Sequence, residues 1–216
     1  MFTAFSIVCL CCINIAYGGS YLAGNDNANT PDPGKGTING YDWVDLGLSV
    51  MWATHNVGAS TPEGYGEYYA WGEITTKAFY DNDSCLTYDY YEQSINSCEY
   101  DVAYVRWGYP WRMPNKDHIM ELVEECTWTW ITLNNVSGCI VTGPSGNSIF
   151  LPAGGFYENE NLKGLGEWGS YWSSTNFFRD YSARAAYELE FEKDSHDRFL
   201  IGRCLGLLVR PVVYIE

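Results

Sequence analysis

Positive charge is what this sequence has least of. Against 27 Asp and Glu it sets 12 Lys and Arg, a formal net charge of −15 with histidine neutral. Phosphate recognition depends on clustered Lys and Arg, so nucleic acid and anionic membrane surfaces are excluded as partners. Histidine is scarcer still: His55, His118 and His196 stand apart and no CxxC pair exists, which leaves no ligand set for zinc or another metal. Catalytic signatures are absent too. There is no GxSxG elbow, no P-loop and no HExxH, and Ser, His and Asp occur at no spacing that assembles a relay. The expectation is therefore a non-enzyme with no bound cofactor.

Helical periodicity is also in short supply, and one stretch holds nearly all of it. Pro114 pushes the residue before it toward extended backbone, Asn115 suits an N-cap, and Lys116 to Cys126 contains neither Gly nor Pro. Ile119, Leu122, Val123 and Cys126 fall at i, i+3, i+4 and i+7, one apolar stripe that strands must cover. Two details depart from an ideal helix. Glu124 and Glu125 crowd the negative C-terminal end, and His118 sits at N3, where a capping box uses Glu or Gln. The remainder, with 22 Gly, 18 Tyr and 9 Trp, breaks into short segments. The fold class expected is α+β, short twisted antiparallel strands around one main amphipathic helix at about 115–126, with long irregular loops.

A long apolar run occurs only at the start. Met1 to Gly18 is uncharged, with Ala16 and Gly18 at the −3 and −1 positions of a signal-peptidase site. It reads as a secretory signal cut after Gly18, followed by a flexible leader at 19–37 and a domain at 38–214. The mature domain is expected not to insert in a membrane. Lipidation at Cys9, Cys11 or Cys12 is a minor alternative. Removing the signal leaves Cys85, Cys98, Cys126, Cys139 and Cys204, an odd set in which at least one thiol is free or intermolecular. Cys85 and Cys98 bracket a short loop and are the expected disulfide.

Strand signals fill the domain. Val44, Leu46, Leu48 and Val50 alternate, and Thr127–Leu133, Cys139–Thr142 and Ser148–Leu151 form a meander punctuated by NNVSG and GPSGN. Ala185, Tyr187, Leu189 and Phe191 alternate with Arg184, Ala186, Glu188, Glu190 and Glu192, which predicts one buried and one wet face. Between Lys77 and Arg106 no cation occurs, while Asp81, Asp83, Asp89, Glu92, Glu99 and Asp101 mingle with five tyrosines. Rings beside carboxylates suit a sugar, and a solvated loop accounts for the same residues.

Several of these stretches match one pattern. VDLGLSVMWATHNVGA, EGYGEYYAWGE, DVAYVRWGYPWRMPN, TWTW, VTGPSGNSIFLPAGG, YWSS and VRPV, in that order across about Ile38 to Val213, resemble the Fibrobacter succinogenes major paralogous domain. That family is related to the C-terminal domain of a bacterial collagen-like adhesin, and the resemblance implies a C-type-lectin-like fold. Where the family has Thr and Glu, this chain has Asn115 and His118. Trp172, Ser173 and Ser174 stand where calcium-dependent lectins carry Trp-Asn-Asp, so calcium-dependent sugar binding is not implied. The paired cysteines of the similarly folded formylglycine-generating enzymes are absent, which makes that activity the least favoured reading.

The resemblance implies a bacterial module, secreted or on the cell surface, used for adhesion. Its partner would be an extracellular glycan or protein met through the long-loop side. The expected contacts are Tyr157, Glu158, Trp168, Trp172, Asn176 and Arg179, with a core role as the competing reading of both tryptophans. The alternative is a structural surface protein that assembles as a homo-oligomer and takes no small ligand.

Overall fold

The computed structural model describes residues 34–89, 94–177 and 184–214; the expected signal and the leader up to residue 33 lie outside the described residues. The described chain runs through β1 (Lys35–Ile38), β2 (Tyr41–Val44) and β3 (Met51–Ala53) to α1 (Val102–Trp107) and α2 (Lys116–Glu125). Then follow β4 (Thr127–Leu133), β5 (Val136–Thr142), β6 (Ser148–Pro152), β7 (Phe156–Glu158) and β8 (Asn161–Lys163). The last elements are β9 (Gly169–Phe177), β10 (Ala185–Phe191), β11 (His196–Gly202) and β12 (Val212–Val213).

The fold is mostly β, which corrects the α+β expectation of a C-type-lectin-like body around one main amphipathic helix. Among the described residues strand accounts for 41% and helix for 9%, in several small antiparallel sheets with two helices. The helices are 6 and 10 residues long, too short to form a layer or to stand without the strands beside them. An apolar stripe locates a helix but does not set its share of the body. The sheets have the orders β1-β2-β3-β12, β4-β5-β6, β11-β10-β9 and β7-β8. The first strand opens at Lys35 and not after residue 37, with Gly36 lying against the Trp43 indole where a Cβ would come within 2.5 Å.

Turn chemistry sets the registers. Asn134 and Asn135 adopt φ of 49° and 65°, the left-handed pair of a two-residue hairpin, and they align Leu133 with Val136 and Thr127 with Thr142. In α2 the Asn115 side chain accepts from the backbone N–H of Asp117 and His118 at 2.9 and 2.8 Å. His118 Nδ1 in turn accepts from the Asn115 N–H at 3.2 Å, so a histidine completes the capping box. Its Nε2 faces the Tyr214 hydroxyl at 2.9 Å. Burial holds its pKa below the ordinary value, which keeps Nδ1 unprotonated and able to accept. Ile119 and Leu122 are buried beside Tyr171, Leu189 and Phe191, with Val123 and Cys126 half-buried at the edge.

Helix α1 depends on Asp101. This carboxylate, fully buried, accepts from Ser97, Ala103, Tyr104 and Met113 backbone N–H groups at 2.9 to 3.1 Å. The last residue of the acidic run is thus a helix cap, not part of a wet loop. The rest of the run divides as well. Asp89 pairs with Arg184 at 2.7 Å, Asp81 receives the Ser84 N–H at 2.8 Å, and Glu92 lies outside the described residues.

Two hydrophobic clusters fill the interior. One gathers Trp52, Ile119, Leu122, Val141, Leu151, Tyr171 and Phe191; the other gathers Trp71, Trp107, Trp111, Met113, Trp172 and Val209. The cysteine expectation needs correction: Cys85 is bonded to Cys204, 119 residues away, and Cys98 is a free thiol donating to the Ile95 carbonyl at 3.0 Å. Sequence proximity gave Cys98 no advantage, because loop 77–89 folds back onto the segment after β11.

The wet face expected of β10 also needs correction. Ala186 and Glu188 are buried to 0% and 1% exposure, because both faces of β10 are covered there: Ala186 packs in the second cluster while Leu189 and Phe191 pack in the first. Glu188 Oε2 has no hydrogen-bond partner among the described residues. Burial, with Glu190 adding to it, pushes this carboxyl up from 4.5 to about 8. The acid is therefore neutral in the fold across a range where the unfolded chain ionises it. Its contribution to stability is full below pH 4.5 and is lost as pH rises through about 8. In urea titrations, Glu188→Gln should match the parent below pH 4.5 and exceed it above pH 8 by on the order of 5 kcal/mol; equal pH profiles would refute the assignment.

Candidate functional site

The hairpin β7–β8 and the loop before Cys85 meet at one cleft of about 270 Å³, lined by Tyr80, Asp81, Asn82, Glu158, Asn159 and Leu205, with Cys204 in its wall. Their meeting is a backbone event. Tyr80 and Asn159 exchange N–H to carbonyl bonds at 2.9 Å, and Asn159 holds φ of 57°, the turn conformation that Asn tolerates. Tyr157 and Gly206 exchange a second such pair at 2.8 and 2.9 Å. Gly206 is required there, since a Cβ would stand 2.7 Å from the Tyr80 ring.

A tyrosine cluster fixes the floor. The Tyr80 and Tyr157 rings stack at 5.6 Å, Tyr68 meets Tyr157 edge-on at 4.9 Å, and the Tyr80 hydroxyl donates to the Tyr68 carbonyl at 2.6 Å. Burial pushes the Tyr80 hydroxyl up from its usual pKa, so it remains a neutral donor. The loop behind is held by buried Glu73, which accepts from Lys77 Nζ at 2.8 Å and from the Leu86 N–H at 2.9 Å. Lys77 also donates to the Ser84 carbonyl at 3.0 Å. Hydrogen bonds from Ser84 hold the Asp81 carboxyl below its usual value, keeping it ionised at the rim.

The cleft thus presents two carboxylates, two carboxamides, a ring and an aliphatic side chain. Such a set accepts and donates hydrogen bonds to hydroxyl groups while Leu205 meets C–H surface. Cys204 in its wall is spent in the disulfide and offers no thiol. Elsewhere burial pushes the Cys126 thiol up to about 11 and Cys139 to about 12, so neither is a thiolate at neutral pH. Among the described residues no three His, Cys, Asp or Glu side chains are placed to hold a metal ion.

The six residues expected from sequence are not gathered in one place. Glu158 lines the cleft and Tyr157 supports it from behind. Trp168, half-buried, stacks on Phe156 at 6.3 Å and covers Gly164, where a Cβ would strike its ring at 2.2 Å. Trp172 is wholly interior and donates from Nε1 to the Tyr69 carbonyl at 2.7 Å, so it is core. Asn176 is buried at 6% exposure, and Arg179 lies outside the described residues. Against protein-family models, curated proteins and solved structures, the chain matches none. Sequence reading missed Tyr80, Asn82, Asn159 and Leu205 as a group. The one available signal was the proximity of an acidic tyrosine-rich run to turn-forming Asn residues, and it did not specify the Tyr80–Asn159 pairing.

The disulfide joins the two sides of the cleft, closing a loop whose entropy is worth about 4 to 5 kcal/mol. The double variant Cys85→Ser/Cys204→Ser should unfold at lower urea by that order. Hydrogen exchange at the Tyr80 and Asn159 amides should rise more than at Trp52, and uniform exchange would argue against a local clamp.

Proposed function

We propose that this chain is a non-catalytic binding and adhesion module, secreted by or displayed on a bacterium, that takes a glycan in the Tyr80–Glu158 cleft. The observation that carries the reading is the cleft itself: a rigid ring floor with carboxylate and amide groups at the rim. Support also comes from the motif resemblance across Ile38 to Val213 and from a disulfide of the kind that persists in oxidising surroundings. Preformed polar clefts of this kind suit hydroxyl-rich ligands because both partners of each hydrogen bond are already placed.

One observation favours the alternative of an assembling surface protein. Strand β11 is the edge of its sheet and leaves Phe199 48% and Leu200 43% exposed, a template for pairing with a second copy.

A glycan array probed with the purified protein, with and without calcium, tests both. A hit weakened at least tenfold by Asp81→Asn combined with Glu158→Gln supports the cleft. No hit, together with oligomers dissolved by Phe199→Lys, supports assembly and removes the glycan reading.

A further inference from the structure

A second concavity lies on the sheet β1-β2-β3 and is built from residues that the cleft does not use. Its central chamber, about 480 Å³, is lined by Tyr41, Asp42, Thr54, His55, Ser60 and Pro62 among others. That volume is within the range of small-molecule sites. Tyr41 also lines a neighbouring hollow of about 190 Å³ with Glu67, Arg106 and Trp107. Asp42 and Thr54 likewise line a third, of about 270 Å³, with Lys35, Thr37 and Trp43. The three hollows adjoin through these shared residues, Tyr41 between the first two and Asp42 and Thr54 between the first and third, and together are called the furrow.

Rings and polar groups alternate along it. Tyr41 lies on Trp107 at 3.9 Å with planes 5° apart, and Trp107 meets Trp111 edge-on at 5.0 Å. Trp111 is in turn tied by Nε1 to the Ile38 carbonyl at 3.1 Å, so the Tyr41 platform is fixed before any ligand arrives. Around it stand the exposed Asp42 carboxylate, accepting from Thr37 Oγ1 at 2.5 Å, and His55 with Nδ1 at 3.1 Å from Thr54 Oγ1. Glu67 and Arg106, each nearly half exposed, face one another at 3.7 Å. A fixed ring flanked by acceptors and donors at successive positions is what a chain of sugar units requires. C–H faces lie on rings while hydroxyls on either side reach carboxylate, imidazole and guanidinium. The carboxylates disfavour a polyanion, and the polar lining disfavours a lipid.

We infer that the furrow over Tyr41 is a second binding site that takes a linear, uncharged oligosaccharide. It does not rest on the glycan reading of the Tyr80 cleft, because the two share no residue. The length of the furrow predicts that affinity grows with chain length.

The test uses the full protein and linear hexasaccharides of β-1,4-glucan, β-1,3-glucan, xylan and chitin, with the mono- and trisaccharides as length controls, read by calorimetry. At least one hexasaccharide should bind, tenfold or more tightly than its trisaccharide. Asp42→Asn, which leaves the Tyr41–Trp107 stack in place, and His55→Ala should each weaken it at least fivefold, and Tyr41→Ala should abolish it. Asp81→Asn with Glu158→Gln should leave it unchanged. Absence of binding across the panel overturns the inference. So does binding that survives His55→Ala and Asp42→Asn, or binding that an extended peptide displaces while no hexasaccharide does.

Discussion

A guanidinium buried among neutral oxygens sets the terms for the rest of this molecule. Arg210, 1% exposed, donates from Nε to Asn56 Oδ1 at 2.7 Å and from its two terminal nitrogens to the Ala53 and Phe150 carbonyls at 3.0 Å. No carboxylate offsets its charge among these partners, and burial brings its pKa down to about 10, still protonated at neutral pH. Burying such an ion costs several kcal/mol, so the arrangement survives only if each donor meets an oxygen at a set position. Those oxygens belong to β3, the loop after it and β6. Their spacing is thereby fixed by one side chain. Asn56 carries the network on by donating to the Tyr65 carbonyl at 2.9 Å, and the Tyr171 hydroxyl donates to the Pro152 carbonyl at 2.7 Å. The polar string crosses between the two hydrophobic clusters, with Val209 in one and Val212 in the other.

The constraint reaches the cleft through the same segment. Between Arg203 and Arg210 the chain has no long strand of its own, yet Leu207 exchanges bonds with Tyr69 at 2.9 and 3.0 Å and Gly206 with Tyr157. Its far end is locked by the disulfide at Cys204. A stretch held at both ends and in the middle presents Leu205 to the cleft as a rigid wall. The furrow gains its rigidity differently. Asp101, capping α1 and binding Met113, orients Trp107 and so the ring that Tyr41 lies on. Each concavity therefore stands on a buried polar group that satisfies several backbone partners at once.

What the sequence made legible was local. The α2 stripe, the Asn115 cap and the Asn-Asn hairpin follow from i to i+4 spacing and from two residues tolerant of positive φ, and the structure places each where that chemistry requires. The second helix was not legible, because a six-residue α1 whose cap lies in an acidic run carries no periodic signal. Nor was the fate of Tyr69 and Trp71, in a Gly-rich stretch without a period, which are both fully interior. They are buried by pairing with residues more than a hundred positions later. The Cys85–Cys204 bond and the Tyr80–Asn159 bridge escaped for the same reason: the energy that selects them depends on distance in space, which spacing along the chain does not encode. Glu188 shows the opposite failure. Its alternation was read correctly as a strand, but packing on both faces of β10 buried the face expected to be wet.

The acidic balance gains a meaning once carboxylates are sorted by what they touch. Asp101 caps a helix, Glu73 binds Lys77, Asp89 meets Arg184, and Glu121 accepts from the Ser49 N–H and hydroxyl at 2.9 and 2.8 Å. These are structural uses, and each is satisfied within the protein. Asp81 and Glu158 line the cleft, and Asp42 lines the furrow. At short range they accept from hydroxyls; at longer range, within about 8 Å in physiological salt, they repel uronates, sulfates and phosphates. On the proposed reading, the same charge that disfavours nucleic acid would narrow the sugar class to neutral or amino sugars. Selectivity would come from field as well as from contact.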